Sequence, residues 1–314
     1  MKGKIQQWVM GASMTASAIA IASTSASAFT ITGNNDYLLF DVCPPNFTCV
    51  NPNADIDSVL AGDSSAPGGN VELFASSEND DLASFLTSNA RTSIEGTVAG
   101  KSIVVSSLTA TDWFGSGLDT SYTADTFATK WFNEFYQNSG LAANETLIKG
   151  VLAAQTGQSS WLLAPSAAVR QAVYNAYLSD QVKGFQRSSD PNVSYITTSG
   201  NDLLIGLAGH YDVKDFYSSI LGPLAVLIND GFQVSEVVKV NYGGVEELLY
   251  SFNATQSGLV NAAGVGADGR SHTGNYEVSM GDVITDVPEP SAMLGLLGLT
   301  GFVVAGRKAR KSHR

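Results

Sequence analysis

Apolar positions between Phe29 and about Leu118 come in short runs of the kind that form β-strands. Residues 37–40, 71–74 and 103–105 are rich in β-branched and aromatic side chains, and clusters of Gly, Asn and Ser separate them. Such runs between turn-forming residues predict strands. The Gly- and Pro-containing stretch 61–70 predicts a loop. The first part of the chain is therefore predicted to be β-rich.

Between residues 123 and 184 the apolar positions follow the three- and four-residue spacing of helices. Three predicted faces share this spacing: Phe127, Trp131 and Phe135; Leu147, Ile148, Val151 and Leu152; and Val169, Val173 and Tyr177. Asn144 is expected to cap the second helix and Gly157 to end it. Pro165 suits the first turn of a third helix that ends at Gly184. The aromatic face could line a sugar site, but such faces belong to the core more often.

The last zone, residues 193–284, mixes both periods. Asp212 is expected to cap a helix that Pro223 ends or kinks. Alternating apolar positions on both sides of Gly243-Gly244 predict a β-hairpin with a two-residue turn, and residues 276–280 predict one more strand. Because the regular βαβ rhythm is missing, the predicted fold class of residues 29–284 is α+β. It comprises a β-rich N-terminal part, a central helical block, and a C-terminal helix plus β-hairpin.

The N-terminus has the three parts of a secretory signal peptide. Lys2 and Lys4 precede a mostly apolar, uncharged stretch over residues 8–21. Ala26-Ser27-Ala28 then forms a small-residue cleavage site before Phe29. Residues 1–28 are therefore predicted to be removed between Ala28 and Phe29 on export, which implies the Sec machinery as a partner.

The C-terminus carries a second targeting signal. Residues 285–291 form a linker that contains Pro288-Glu289-Pro290, residues 292–306 carry no charge, and residues 307–314 are strongly basic. As a helix, the uncharged segment would reach roughly 22 Å, against about 30 Å for the hydrocarbon core of a bilayer. It is predicted to be a short transmembrane segment, with the basic residues 307–314 as a cytoplasmic tail.

The Pro-Glu-Pro motif, short span and basic end together resemble the PEP-CTERM sorting signal of exported bacterial proteins. The resemblance implies that the tail holds the protein in the inner membrane until the membrane protease exosortase removes it. The protein would then pass to the cell envelope or the extracellular space. An ordinary C-terminal anchor is the alternative.

Charge in the exported part is strongly acidic. All 29 Asp and Glu residues lie between Asp36 and Glu289, together with ten Lys and Arg, so this stretch carries a net charge of −19. Such a surface disfavours nucleic acids and anionic lipids and favours solubility and divalent cations. We therefore expect no nucleic-acid partner.

Two cysteines, Cys43 and Cys49, lie close together in the exported part. In an oxidising compartment such a pair predicts a local disulfide. Free thiols, or a metal site with two further ligands, are the alternatives.

Catalytic motifs do not assemble along the chain. Gly62-Asp63-Ser64 resembles the nucleophile block of GDS-type lipases and esterases, which also need Asp and His three residues apart, whereas Asp268 and His272 are four apart. His210 is more readily explained as a structural histidine. Carboxylate pairs for glycoside cleavage are set in space, so their sequence spacing is uninformative. We assign no catalytic residue and no cofactor.

Calcium ligands are a minor alternative at two places. Residues 51–57 put Asn or Asp at every second position, but an EF-hand there would lack its Gly and its last Glu. Residues 200–206 resemble one glycine-rich β-roll unit, although such units bind calcium only when stacked. A solvated turn is the default at both.

Four further segments, residues 189–195, 206–210, 235–240 and 272–278, resemble a cyanobacterial-type group of PEP-CTERM proteins of unknown function. The resemblance supplies no catalytic residues. It implies a non-enzymatic envelope or extracellular-matrix protein, associated with exopolysaccharide. The competing hypothesis is a secreted hydrolase acting on polysaccharide or ester substrates. A deep acidic cleft with two facing carboxyl groups would favour the enzyme.

Overall fold

The computed structural model describes residues 27–262 and 269–281. The predicted signal peptide up to Ala26, the Pro288-Glu289-Pro290 motif and the segments 292–306 and 307–314 lie outside the described residues. Within them the fold is mixed and rich in strands, as the sequence predicts.

Thirteen strands lie within the described residues: β1 (Ser27–Gly33), β2 (Tyr37–Cys43), β3 (Phe47–Val50), β4 (Asn70–Leu73), β5 (Thr92–Val98), β6 (Lys101–Ser106), β7 (Asn192–Ser199), β8 (Asp202–Gly209), β9 (Val238–Tyr242), β10 (Val245–Leu249), β11 (Thr255–Gln256), β12 (Val260–Asn261) and β13 (Gly274–Met280). Eight α-helices accompany them: α1 (Ile56–Val59), α2 (Leu82–Thr87), α3 (Ala110–Phe114), α4 (Phe127–Asn138), α5 (Glu145–Thr156), α6 (Ser166–Leu178), α7 (Gly184–Arg187) and α8 (Lys214–Leu221). Short 3-10 helices cover Ser77–Asn79, Ser159–Leu163 and Gly222–Leu227.

The strands form two sheets. One has the order β1-β5-β6-β9-β10, and the other has the order β11-β13-β8-β7-β4-β2-β3-β12. Every pairing among the described strands is antiparallel except that of β3 with β12. Antiparallel sheets need no helical crossovers, which agrees with the missing βαβ rhythm.

The two sheets share one apolar core. Val105 and Val240 from the smaller sheet pack in the same cluster as Val71, Ile205 and Tyr276 from the larger one. In β9 buried residues alternate with partly exposed ones, as a strand with one covered face requires. The sheets therefore stack as a sandwich.

A second core, built mostly from aromatic rings, fills the helical part. Trp131, on α4, lies fully buried with its ring centroid 5.6 Å from that of Trp113, 5.5 Å from that of Phe135 and 5.6 Å from that of Tyr177. The aromatic face predicted for this helix is therefore core. The predicted faces of α5 and α6 also bury residues, namely Ile148 and Leu152, and Val169, Val173 and Tyr177.

Some predicted helix boundaries are wrong. The third helix ends at Leu178 and not at Gly184, which instead begins α7. A Cβ at Gly184 would lie 2.3 Å from the Tyr177 ring, so close packing and not helix termination explains this glycine. Asn144 precedes α5 but its side chain does not cap it. The amide Nδ2 donates to the carbonyl of Leu227 at 2.9 Å instead.

The strand-like prediction for residues 29–118 is incomplete, since α1, α2 and α3 lie within it. The hairpin of β7 and β8 was not predicted. Residues 192–196 of β7 are buried without interruption, so they lack the alternation that marks a half-exposed strand. The hairpin at Gly243-Gly244 is confirmed, with Val245 opposite Tyr242.

The disulfide between Cys43 and Cys49 is confirmed. It links β2 to β3 across a tight turn that contains the cis peptide Pro44-Pro45. The Cα atoms of the two cysteines are 6.2 Å apart.

Candidate functional site

A cavity of about 730 Å³ lies between the eight-stranded sheet and helices α7 and α8. We call it the acidic cavity. Its acidic, basic and histidine lining residues are Glu72, Arg187, Asp190, His210, Asp215, Glu236, Arg270 and His272. The volume is within the range of about 300–1,000 Å³ that is usual for small-ligand sites.

One wall of the cavity is a row of side chains across three neighbouring strands. Leu38 of β2 lies opposite Glu72 of β4, and Glu72 lies opposite Asn192 of β7. Residues opposite each other in antiparallel strands point to the same face of the sheet, and all three line the cavity. The strand register therefore places the carboxyl group of Glu72 beside the amide of Asn192.

Glu236, in the segment before β9, also lines the cavity. Burial and, second, the negative charge of Glu72 raise the pKa of Glu236 to about 8, while hydrogen bonds from Asn192 partly oppose the shift. Glu236 is therefore predominantly protonated at neutral pH. One of its oxygens, Oε2, is out of contact with solvent and has no hydrogen-bond partner among the described residues.

Asn192 adds a second buried acceptor. The residue is 9% exposed, and its Oδ1 atom has no hydrogen-bond partner in the described part of the chain. Buried polar atoms without partners cost free energy, and natural proteins hold few of them. Two such atoms on the wall of one cavity indicate a place where a ligand or ordered water supplies the missing hydrogen bonds.

His272 is held firmly in the wall. Its Nδ1 lies 2.7 Å from the hydroxyl of Thr48 and 3.2 Å from the amide nitrogen of Asn70. Because that amide nitrogen can only donate, Nδ1 accepts its hydrogen bond. The backbone of His272 is left-handed, with φ of 66°, which costs about 1–2 kcal/mol in a residue with a Cβ.

The cavity is also lined by aromatic rings in contact and by an ion pair. The ring of His210 lies 4.9 Å from that of Phe216, and the guanidinium of Arg187 lies 5.7 Å from the same Phe216 ring. Arg270 forms an ion pair with Asp215 at 2.6 Å, with both side chains more than half exposed. Such an exposed pair adds little stability.

The structure brings together the four segments that carry the family resemblance. Asp190 and Asn192 come from the first, His210 from the second, Glu236 from the third and His272 from the fourth. Asp190 is nearly buried, and its Oδ2 accepts from the hydroxyl of Ser77 at 2.6 Å. Sequence reasoning singled out these segments but did not show that they meet.

Glu72 and Arg187 were missed altogether. Glu72 stands between two apolar residues of a predicted strand, which indicates only that it faces away from the core. The sequence holds no signal for the register that aligns it with Asn192.

Ser64 of the Gly-Asp-Ser block lies in an exposed turn. Asp63 accepts hydrogen bonds from the backbone N–H groups of Ser65 and Ala66, at 2.7 and 3.0 Å, which explains the block as turn chemistry. The carbonyl of Ser64 accepts from Asn275. Asp268, the proposed partner, lies outside the described residues.

Both candidate calcium stretches are used for local structure. Asp55 caps α1 through the backbone N–H of Ser58, and Asp57 accepts from the backbone N–H of Phe29 at 2.7 Å. Gly200 and Asn201 form the turn between β7 and β8. In the described part of the chain, no three His, Cys, Asp or Glu residues are grouped so that they could hold a metal ion.

Residues 286–311 match the family model of the PEP-CTERM protein-sorting motif. This motif is the recognition signal for exosortase, a membrane protein, and indicates export with transient membrane anchoring before the cell envelope or extracellular space is reached. No curated protein and no solved structure matches the chain. None of the helices formed by the described residues is both long enough and apolar enough to cross a membrane.

Proposed function

We propose that the exported domain is an envelope or extracellular-matrix protein that binds a saccharide in the acidic cavity. The observation that carries the proposal is a pair of buried oxygens that have no hydrogen-bond partner among residues 27–262 and 269–281, Glu236 Oε2 and Asn192 Oδ1. A sugar presents many hydroxyl groups, each able to donate to such an atom or to accept from a protonated carboxyl group.

The charge and lining of the cavity limit the class of saccharide. With Glu236 protonated, three charged carboxylates against two arginines leave the lining slightly negative, which disfavours phosphorylated, sulfated or uronic sugars, so we expect a neutral or amine-bearing chain. Phe216, which is partly exposed, supplies apolar surface for the C–H face of a sugar ring. The sorting motif supports a location where such chains are present.

The binding proposal is tested with the full chain, purified in detergent and titrated calorimetrically with cellotetraose, maltotetraose and chitotetraose. We expect at least one of them to bind. Replacing Asn192 by Leu should weaken that binding about tenfold, which corresponds to loss of one hydrogen bond of about 1.4 kcal/mol. The matched control is Asn253→Leu, since Asn253 is exposed and lies outside the cavity. Absence of binding, or equal weakening by both variants, would contradict the proposal.

The processing of the two termini is tested separately. Protein released by a producing strain should begin at Phe29 and lack residues 292–306, whereas a strain without the sorting protease should retain the chain in its membranes. Mass spectrometry of released protein that still ends at Arg314 would refute removal of the tail.

A further inference from the structure

A second cavity, of about 460 Å³, adjoins the acidic cavity. Asp215 and Arg270 line both cavities, so the two spaces meet at these residues. The residues that line only the second cavity include Tyr211, Asp212, Gln256 and Thr273.

Two neighbouring chain segments contribute to both cavities. His210 lines the acidic cavity, and the next residue, Tyr211, lines the second one. In the same way, Ser271 and His272 line the acidic cavity and Thr273 lines the second one. The backbone N–H of Tyr211 donates to the hydroxyl of Thr273 at 3.0 Å, which holds the two segments together. The segments therefore form a ridge with one cavity on each side.

The ion pair between Arg270 and Asp215 lies where the two cavities meet. Its nitrogen and oxygen atoms are 2.6 Å apart, and the two side chains are 58% and 64% exposed. At such exposure an ion pair is weak, and a ligand can move its side chains aside at little cost. The pair therefore does not close the path from one cavity to the other.

The second cavity suits the same class of saccharide as the acidic cavity. Asp212 and Asp215 stand against Arg270, so its lining is slightly negative as well. The ring of Tyr211 is partly exposed and offers apolar surface to a sugar ring. The amide group of Gln256, an exposed residue, can donate to and accept from sugar hydroxyl groups.

We propose that the bound saccharide is an extended chain that occupies both cavities at once and passes over the Arg270–Asp215 ion pair. This inference rests on the proposed function and deepens it by assigning a second subsite. Asn192 and Glu236, which carry the proposed function, line the acidic cavity and not the second one. The two subsites can therefore be tested independently.

The first experiment compares chain lengths. The full chain in detergent is titrated calorimetrically with the tri- and hexasaccharide of whichever series binds. The hexasaccharide should bind at least tenfold more tightly than the trisaccharide. Gln256→Ala should weaken hexasaccharide binding about fivefold, the usual effect of losing one hydrogen bond, and leave trisaccharide binding unchanged. Asn192→Leu should weaken the binding of both.

The matched control is Gln155→Ala, since Gln155 is exposed on α5 and lies outside both cavities. It should bind both saccharides as wild type does. Near-ultraviolet circular dichroism checks that each variant is folded.

The second experiment locates the chain without a substitution. Hydroxyl-radical footprinting with residue-resolved mass spectrometry measures the oxidation of Tyr211 in wild-type protein. Saturating hexasaccharide should protect Tyr211, and saturating trisaccharide should protect it less. Tyr250 is the control, because it is partly exposed and lies outside both cavities. Its oxidation should not change.

Three outcomes would overturn the extended chain and leave saccharide binding in the acidic cavity standing. The hexasaccharide binds no more tightly than the trisaccharide, Gln256→Ala weakens its binding no more than Gln155→Ala does, or Tyr211 is oxidised equally with and without it. If no saccharide binds to wild-type protein, the proposed function itself fails, and the second subsite fails with it.

Discussion

Burial has opposite effects on stability in two regions of the molecule, the aromatic core of the helical part and the acidic cavity. Around Trp131 the neighbours are Trp113, Phe135, Tyr177 and other rings, so burial removes apolar surface from water and stabilises the fold. Around Glu236 burial desolvates a carboxyl group and leaves oxygens with no hydrogen-bond partner in the part of the chain that the structure describes, which costs free energy. A protein retains such a cost where the groups serve a ligand or a reaction.

The two regions should therefore respond differently to mutation. Truncation in the aromatic core should destabilise the protein and change the cavity little, whereas neutralising the cavity should leave the protein as stable or more stable while removing its function.

The largest expected effect is on the aromatic core. Trp131→Ala should lower the free energy of unfolding by about 3–5 kcal/mol, since it removes a fully buried ring and leaves a cavity. Urea denaturation followed by circular dichroism measures this. Trp161→Ala, in a partly exposed position, is the control and should cost less. A loss below 1 kcal/mol for Trp131→Ala would show that the helical part is not well packed.

The cavity should make stability depend on pH. Because Glu236 has its pKa raised from 4.5 to about 8, the folded protein keeps a proton that the unfolded chain releases between these values. The contribution of Glu236 to stability is fully present below pH 4.5 and falls as pH rises to about 8, by at most about 1.4 kcal/mol per pH unit. Glu236→Gln should flatten this slope and be more stable than wild type at pH 8. Urea denaturation at several pH values between 4.5 and 8 measures this, with Glu247→Gln as the control. If the free energy of unfolding of wild type and of Glu236→Gln changes with pH in parallel, the raised pKa of Glu236 is refuted.

The disulfide lies next to the cavity and should affect both properties. Cys43 and Cys49 close the hairpin of β2 and β3, from which Phe40 and Thr48 reach the cavity and His272. Reduction should cost about 2 kcal/mol by the chain-entropy estimate for so small a ring. It should also weaken saccharide binding. Alkylatable thiols in unreduced, exported protein would contradict the bond.

The smallest effect is expected at the mature N-terminus. Removal of the signal peptide before Phe29 would turn the backbone nitrogen that lies 2.7 Å from Asp57 into an ammonium group, and so create an ion pair. Asp57→Asn should cost about 1 kcal/mol in protein that begins at Phe29. It should cost less in protein that retains Ala28, whose ammonium is displaced by one residue. The two changes, Asp57→Asn and retention of Ala28, form a double-mutant cycle. If their effects on the free energy of unfolding are additive, the ion pair is excluded. Saccharide binding should not change in either protein.

The fold could be predicted from the sequence where residues close together in the chain determine it, and not where tertiary contacts do. The buried face of α4, the hairpin at Gly243-Gly244 and the pair Cys43–Cys49 were predictable, because each depends on residues close together in the chain. The hairpin of β7 and β8 escaped prediction because its buried residues do not alternate. Helix boundaries failed where a tertiary contact competed with a local preference, as when the Asn144 side chain bonds to Leu227.

By itself the sequence determined that the protein is exported, since a sorting motif is a continuous segment that exosortase, a membrane protein, recognises as such. It also determined which stretches bury their apolar faces, because helical and strand periods record burial locally. Only the tertiary structure decided that Glu72, Asn192 and Glu236 share one cavity. Their meeting depends on the register of β4 against β7 and on the packing of one sheet over the other. Those relations join residues far apart in the chain, and no pattern of neighbouring residues encodes them.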